Sequence, residues 1–162
     1  MNQERKKTLK FEERQQINSP ISDVFHALSR PDLYLPSWYR GVLSVKEIKN
    51  QQKELTRFKV VGRDLVGKSH WQYEVTLCDP GKVFAARATG GPVPFNDSFL
   101  LQSLADGSTE VVHKQEIQPN GLFGLLGPLF LLVWPQLIRD NLGRLKGLLE
   151  ARRPMVAVAE SS

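Results

Sequence analysis

His113, Asp97 and Glu13 are the side chains of this sequence best suited to moving a proton, and each sits in a stretch of alternating character. In Thr109–Ile117, the residues Thr109, Val111, His113, Gln115 and Ile117 share one face of a strand. Val111 and Ile117 make that face the inward one, so His113 and Gln115 are expected to point into the interior. Phe95, Asp97, Phe99 and Leu101 form a second set, with Asp97 as a polar point in an apolar wall. Burial there would raise the pKa of its carboxyl group. Leu9, Phe11, Glu13, Gln15 and Ile17 form a third set, in which Glu13 could pair with Arg87 or His113 across a sheet. Two carboxylates and an imidazole converging in an apolar interior would suit general acid–base catalysis.

Other chemistries are poorly served. His26, His70 and His113 are far apart and none has a partner at metal-ligand spacing, so no metal is expected. Cys78 precedes Asp79-Pro80-Gly81 and reads as a passive thiol. Gly90-Gly91-Pro92 reads as a turn between strands, not a phosphate loop, and no cofactor is expected. With one cysteine an intrachain disulfide is impossible, which fits a reducing compartment. The first residues lack the apolar core of a signal peptide, so a cytoplasmic location is expected. The net charge of +5 is concentrated in Arg5-Lys6-Lys7 and Arg152-Arg153. Such short runs read as solvated termini with a weak preference for anionic membrane surfaces, and no nucleic-acid partner is expected.

A chain of 162 residues suffices for one domain with a real core. Residues 1–7 read as a basic flexible terminus, 8–152 as the domain and 153–162 as a disordered tail. A strand over Thr8–Ile17 leads to Ser19-Pro20, where serine could cap a helix. Ile21, Val24, Phe25 and Leu28 then give one helical stripe, and Asp32 could cap a second short turn ending at Pro36. Strands are expected over 42–48, 54–61, 65–78, 83–88, 95–104 and 109–117, separated by turn residues. Short connections make them an antiparallel meander.

Gly121 to Trp134 is an apolar run without charge, and Trp134, Leu137, Ile138, Leu142, Leu145, Leu148 and Leu149 continue it at helical spacing. From Gly121 to Ile138 a helix would span about 27 Å, marginal against a hydrocarbon core of about 30 Å. Its glycines and prolines argue against a regular span. Trp134 to Leu149 reads instead as the cover of a concave apolar sheet. Gly121 to Leu132 is left as inert packing, a pocket lid or an edge in transient contact with a membrane.

This order of elements resembles the START-like, or SRPBCC, superfamily, specifically its polyketide cyclase/dehydrase-like members. The resemblance rests on Ile17-Asn-Ser-Pro20, Asp23-Val-Phe25, Trp38 with Val42 and Val45, Asp106-Gly-Ser-Thr109-Glu-Val111, and Asn141-Leu-Gly-Arg-Leu-Lys146 with Glu150. It implies an α+β helix-grip fold: a curved antiparallel sheet of about seven strands around a long C-terminal helix, with two short helices after the first strand. It also implies a hydrophobic cavity between sheet and helix. Expected functions are a carrier or sensor of a lipid, quinone or polyketide-like molecule, a metal-free cyclase or dehydratase, or a membrane-peripheral accessory protein for lipids or quinones. Expected ligand contacts are Trp38, Trp71, Tyr73, Arg87, Phe95, Asp97, Phe99, Val111, His113, Gln115, Phe123, Phe130 and Trp134. His113, Asp97 and Glu13 are the catalytic candidates.

Overall fold

A computed structural model describes residues 8–49, 56–64, 67–91 and 93–152. The expectations for the two termini, for Glu54, for Leu65 and for Pro92 lie outside the described residues. β1 (Leu9–Ile17) is followed by α1 (Ile21–Ser29) and α2 (Pro31–Trp38). Six strands come next: β2 (Val42–Ile48), β3 (Arg57–Asp64), β4 (Gly67–Asp79), β5 (Val83–Thr89), β6 (Phe95–Ser103) and β7 (Thr109–Ile117). α3 (Leu122–Leu125) and α4 (Gly127–Glu150) complete the fold.

The strands form one antiparallel sheet in the order β1-β7-β6-β5-β4-β3-β2. β1 crosses to pair with β7, so the first and last strands lie side by side. Register shifts at Val42/Ser44 and Val75/Leu77 bend β2 and β4, as bulges do. The inner face carries Ile17, Phe58, Val60, Tyr73, Phe84, Phe99, Val111 and Ile117, all buried. The outer face carries ion pairs such as Lys10–Glu116, Arg57–Glu74 and Arg14–Glu110. This is the helix-grip arrangement, with α4 packed against β1 and α2.

Burial divides α4 in two. Ile138, Asn141, Leu142, Leu145 and Leu149 are buried in its second half, whereas in the first half only Gly127 is. Asn141 ties that second half to the end of α2: its Oδ1 accepts the backbone N–H of Arg40 at 2.8 Å. Leu125, Leu126, Leu129, Leu131, Leu132 and Val133 are exposed, Leu125 and Leu132 at 78% each. Pro135, inside the helix, has no N–H to donate to the preceding turn, which weakens the helix between the two halves. Among the described residues no helix is long and apolar enough to cross a membrane.

Four local expectations are corrected. Ser19 does not cap α1: Pro20 holds the cap position in extended backbone and no side chain caps the helix. Ser19 is buried instead, and its carbonyl accepts the Thr109 hydroxyl at 2.8 Å, tying the start of α1 to β7. α2 runs through Pro36 to Trp38, because burial of Leu35 and Trp38 offsets one missing backbone bond. Asp32 does not cap it either and holds Arg30 at 2.8 Å. Finally, α4 begins at Gly127 rather than Trp134, with Pro128 in its first turn, where proline suits a helix.

The division of α4 predicts opposite outcomes for two leucines on one helix. Leu145→Ala should destabilise by about 2–5 kcal/mol, and Leu132→Ala should change stability by less than about 0.5 kcal/mol. Urea unfolding of both variants checks this; equal losses would mean that the first half of α4 is packed after all.

Candidate functional site

The concave face places Asp97 from β6 beside His113 and Gln115 from β7. Asp97 is 2% exposed and His113 0%. In the strand register Asp97 lies opposite Gln115, and Phe99 lies opposite His113. His113 Nε2 is 2.8 Å from Asp97 Oδ1, and Gln115 Nε2 donates to the same oxygen at 2.6 Å. The Tyr73 hydroxyl, from β4, donates to Asp97 Oδ2 at 3.2 Å. Gln115 Nε2 also donates to the Tyr39 hydroxyl oxygen at 3.1 Å, and Gln115 Oε1 accepts the indole N–H of Trp134 from α4. One buried carboxylate on β6 thus gathers side chains from two other strands, and through Gln115 the network reaches α4 and the residue after α2.

Aromatic rings surround this network. Phe99 stacks on the His113 imidazole with centroids 4.1 Å apart. Trp38 meets Phe99 edge-on at 6.0 Å, and Tyr39 stacks on Phe95 at 6.4 Å. Trp71 contacts Phe95 at 5.2 Å and Tyr73 at 6.3 Å. A second row runs from Phe11 through Trp134 to Phe130 and Phe123. Burial, reinforced by the charge of Asp97, raises the pKa of both Tyr39 and Tyr73. Both phenols therefore act as neutral hydrogen-bonding groups.

Most of the expected contacts fall on this interior. Trp38, Trp71, Tyr73, Phe95, Asp97, Phe99, Val111, His113, Gln115 and Trp134 face it, with Phe123 and Phe130 at its α3–α4 end. Two candidates stand elsewhere. Arg87 is exposed on the outer face, 3.9 Å from Glu74, because β5 turns Phe84, Ala86 and Ala88 inward. Glu13 shares the inner face and lies opposite His113 in register, but its carboxylate is turned to Arg139 of α4 at 2.9 Å. Glu13 therefore stands apart from the hydrogen bonds of Asp97. Tyr39 is a member of the network that strand alternation does not mark, since it follows a helix in irregular backbone.

Two concavities lie away from this interior. One, of about 590 Å³, opens on the outer face and is lined by residues such as Thr76, Arg87, Asn96, Ser98 and Lys114. The other, of about 270 Å³, is bounded by His26, Tyr34, Leu149 and Arg152. The interior itself is lined by the chain's own aromatic rings.

The comparisons with known proteins agree with this fold. The family described as polyketide cyclase / dehydrase and lipid transport matches residues 8–150. No curated protein sequence matches. The structure is similar to the Zhui aromatase/cyclase from Streptomyces sp. R1128, with a TM-score of 0.77, 15% identity and coverage of 94% of this chain and 100% of that one. It is similar to a Thermus thermophilus protein, TTHA0849, with a TM-score of 0.74, 16% identity and coverage of 90% and 100%. It is also similar to Ara h 8.0201, with a TM-score of 0.69, 16% identity and coverage of 90% and 100%. At these identities the likeness is one of fold. The match over residues 8–150 shows more: the chain belongs to the polyketide cyclase / dehydrase and lipid transport family.

The buried phenols carry a pH prediction. In the fold Tyr39 and Tyr73 hold their protons well above the ordinary value of 10. In the unfolded chain they ionise near that value. Stability from this source is therefore intact below about pH 10 and falls above it, by about 1.4 kcal/mol per pH unit for each tyrosine. An alkaline titration followed by phenolate absorbance and circular dichroism should show two of the three tyrosines ionising only as the protein unfolds. Ionisation of all three in the native state would contradict the burial of this network.

Proposed function

We propose that the chain binds a hydrophobic small molecule between the inner face of the sheet and α4, as a carrier or sensor. The observation that carries this reading is the Asp97–His113–Gln115 network, set in an otherwise aromatic interior. A core built for stability alone gains little from a buried carboxylate, because removing the charge from water costs several kcal/mol before its hydrogen bonds offset it. Apolar pockets with a few fixed polar groups are the usual form of small-molecule sites. Burial of apolar ligand surface would supply the binding, at about 25 cal/mol per Å² before association costs.

Entry would use the half of α4 that is not anchored. Trp134 and Phe130 close the interior at that end, Pro135 interrupts the helix behind them, and exposed leucines cover the rest. Swinging this segment outward breaks one side-chain hydrogen bond, from Trp134 to Gln115, and leaves the buried half in place. A loosely held segment of this kind suits ligand exchange.

A second reading, catalysis of cyclisation or dehydration, is favoured by the contact between His113 Nε2 and Asp97. With Nε2–H donated to the carboxylate, Nδ1 is the basic nitrogen of the neutral ring. It could take a proton from carbon next to a ligand carbonyl, the electron pair moving to the carbonyl oxygen. General base catalysis of this kind contributes about 10²–10⁴-fold.

Native mass spectrometry and solvent extraction of the purified protein separate these readings. A carrier should hold an apolar compound that is released unchanged. An enzyme should convert a polyketone substrate, with about 10²–10⁴-fold loss in His113→Ala. A protein that retains and takes up none of a panel of lipids, quinones and polyketones refutes the binding reading. Undiminished turnover in His113→Ala refutes the catalytic one.

A further inference from the structure

We infer that the interior selects neutral ligands bearing a hydroxyl group, received by His113 Nδ1, and turns carboxylates away. The inference rests on the interior-ligand reading above and gives it a chemical class. Among the described residues two buried side-chain atoms lack a hydrogen-bond partner: His113 Nδ1 and Trp38 Nε1. Both rings lie against Phe99, the imidazole stacked at 4.1 Å and the indole edge-on at 6.0 Å. Buried polar atoms are paired in the great majority of cases, so two unpaired ones flanking one ring mark a place for polar ligand atoms.

The hydrogen-bond directions define the ligand. Asp97 receives the Tyr73 hydroxyl on Oδ2 and the Gln115 amide on Oδ1, so it serves as an ionised acceptor. Its third partner, His113 Nε2, then carries the proton. In the neutral imidazole the other nitrogen, Nδ1, offers a lone pair and accepts an O–H. The Trp38 indole can only donate, so it suits a ligand oxygen lone pair. A hydroxyl group has both a proton to give and lone pairs to offer.

Charge sets the exclusion. Among the described residues no lysine or arginine is buried. Arg87 is on the outer face, and Arg139 is held by Glu13. A ligand carboxylate would place a second negative charge near Asp97 without a buried cation to offset it. Such like-charge burial is strongly unfavourable.

The test compares 2-naphthol, naphthalene and 2-naphthoate at pH 7 on the unaltered protein, by two-dimensional NMR titration that follows the indole N–H of Trp38. The expected order is 2-naphthol tightest, by about fivefold or more over naphthalene, the worth of one hydrogen bond. 2-Naphthoate should be the weakest of the three. In His113→Phe, which keeps a ring against Phe99, the preference for naphthol over naphthalene should vanish while naphthalene still binds. Equal affinities for naphthol and naphthalene in the unaltered protein overturn the hydroxyl assignment, and tight naphthoate binding overturns the exclusion. Failure of all three to bind overturns the interior-ligand reading itself, and this inference with it.

Discussion

A carboxylate cannot sit unpaired in an apolar interior, and the arrangement around Asp97 follows from that constraint. Three donors meet it: the Tyr73 hydroxyl, the Gln115 amide and His113 Nε2. Each satisfies a lone pair, and each is itself oriented by doing so. Gln115, turned with its amide nitrogen toward Asp97, must present its oxygen to Trp134. Tyr39 is drawn to the same amide. The charge of one side chain thus sets the rotamers of residues on two other strands, a helix and a loop, and leaves the second nitrogen of His113 still able to bond.

Burial and this polar network act on different parts of α4. Ile138, Leu142, Leu145 and Leu149 anchor its second half by apolar contact, which is strong and non-directional. Its first half is held by Trp134, through one hydrogen bond to Gln115 and a ring contact with Phe11 of β1. A helix anchored at one end and latched at the other can open without unfolding the domain. The same latch reports on the interior, because Gln115 bonds both Trp134 and Asp97.

Much of this was legible in the sequence, for a physical reason. Period-2 alternation fixes which side of a strand a residue occupies, so Asp97, His113 and Gln115 could be placed on one face from Phe95, Phe99, Val111 and Ile117 alone. Arg87 was misplaced where that signal fails: β5 carries small or apolar residues on both faces, so parity there is ambiguous. Glu13 was placed on the correct face, but its partner depends on how α4 is rotated against β1, which no local pattern encodes. Tyr39 lies outside any periodic segment, and its bond to Gln115 joins residues far apart in the chain. The early start of α4 was obscured by glycines and prolines that a helix admits in its first turn and at a weak point.

The proton on His113 tests the role of Asp97 most directly. Nitrogen NMR of protein labelled in its imidazole rings distinguishes a protonated ring nitrogen from a bare one. The arrangement around Asp97 requires the proton on Nε2 and a bare Nδ1, with the Nδ1 signal moving when a hydroxyl-bearing ligand binds. A proton found on Nδ1, with Nε2 bare, would mean that Asp97 is not the ionised acceptor that organises this interior.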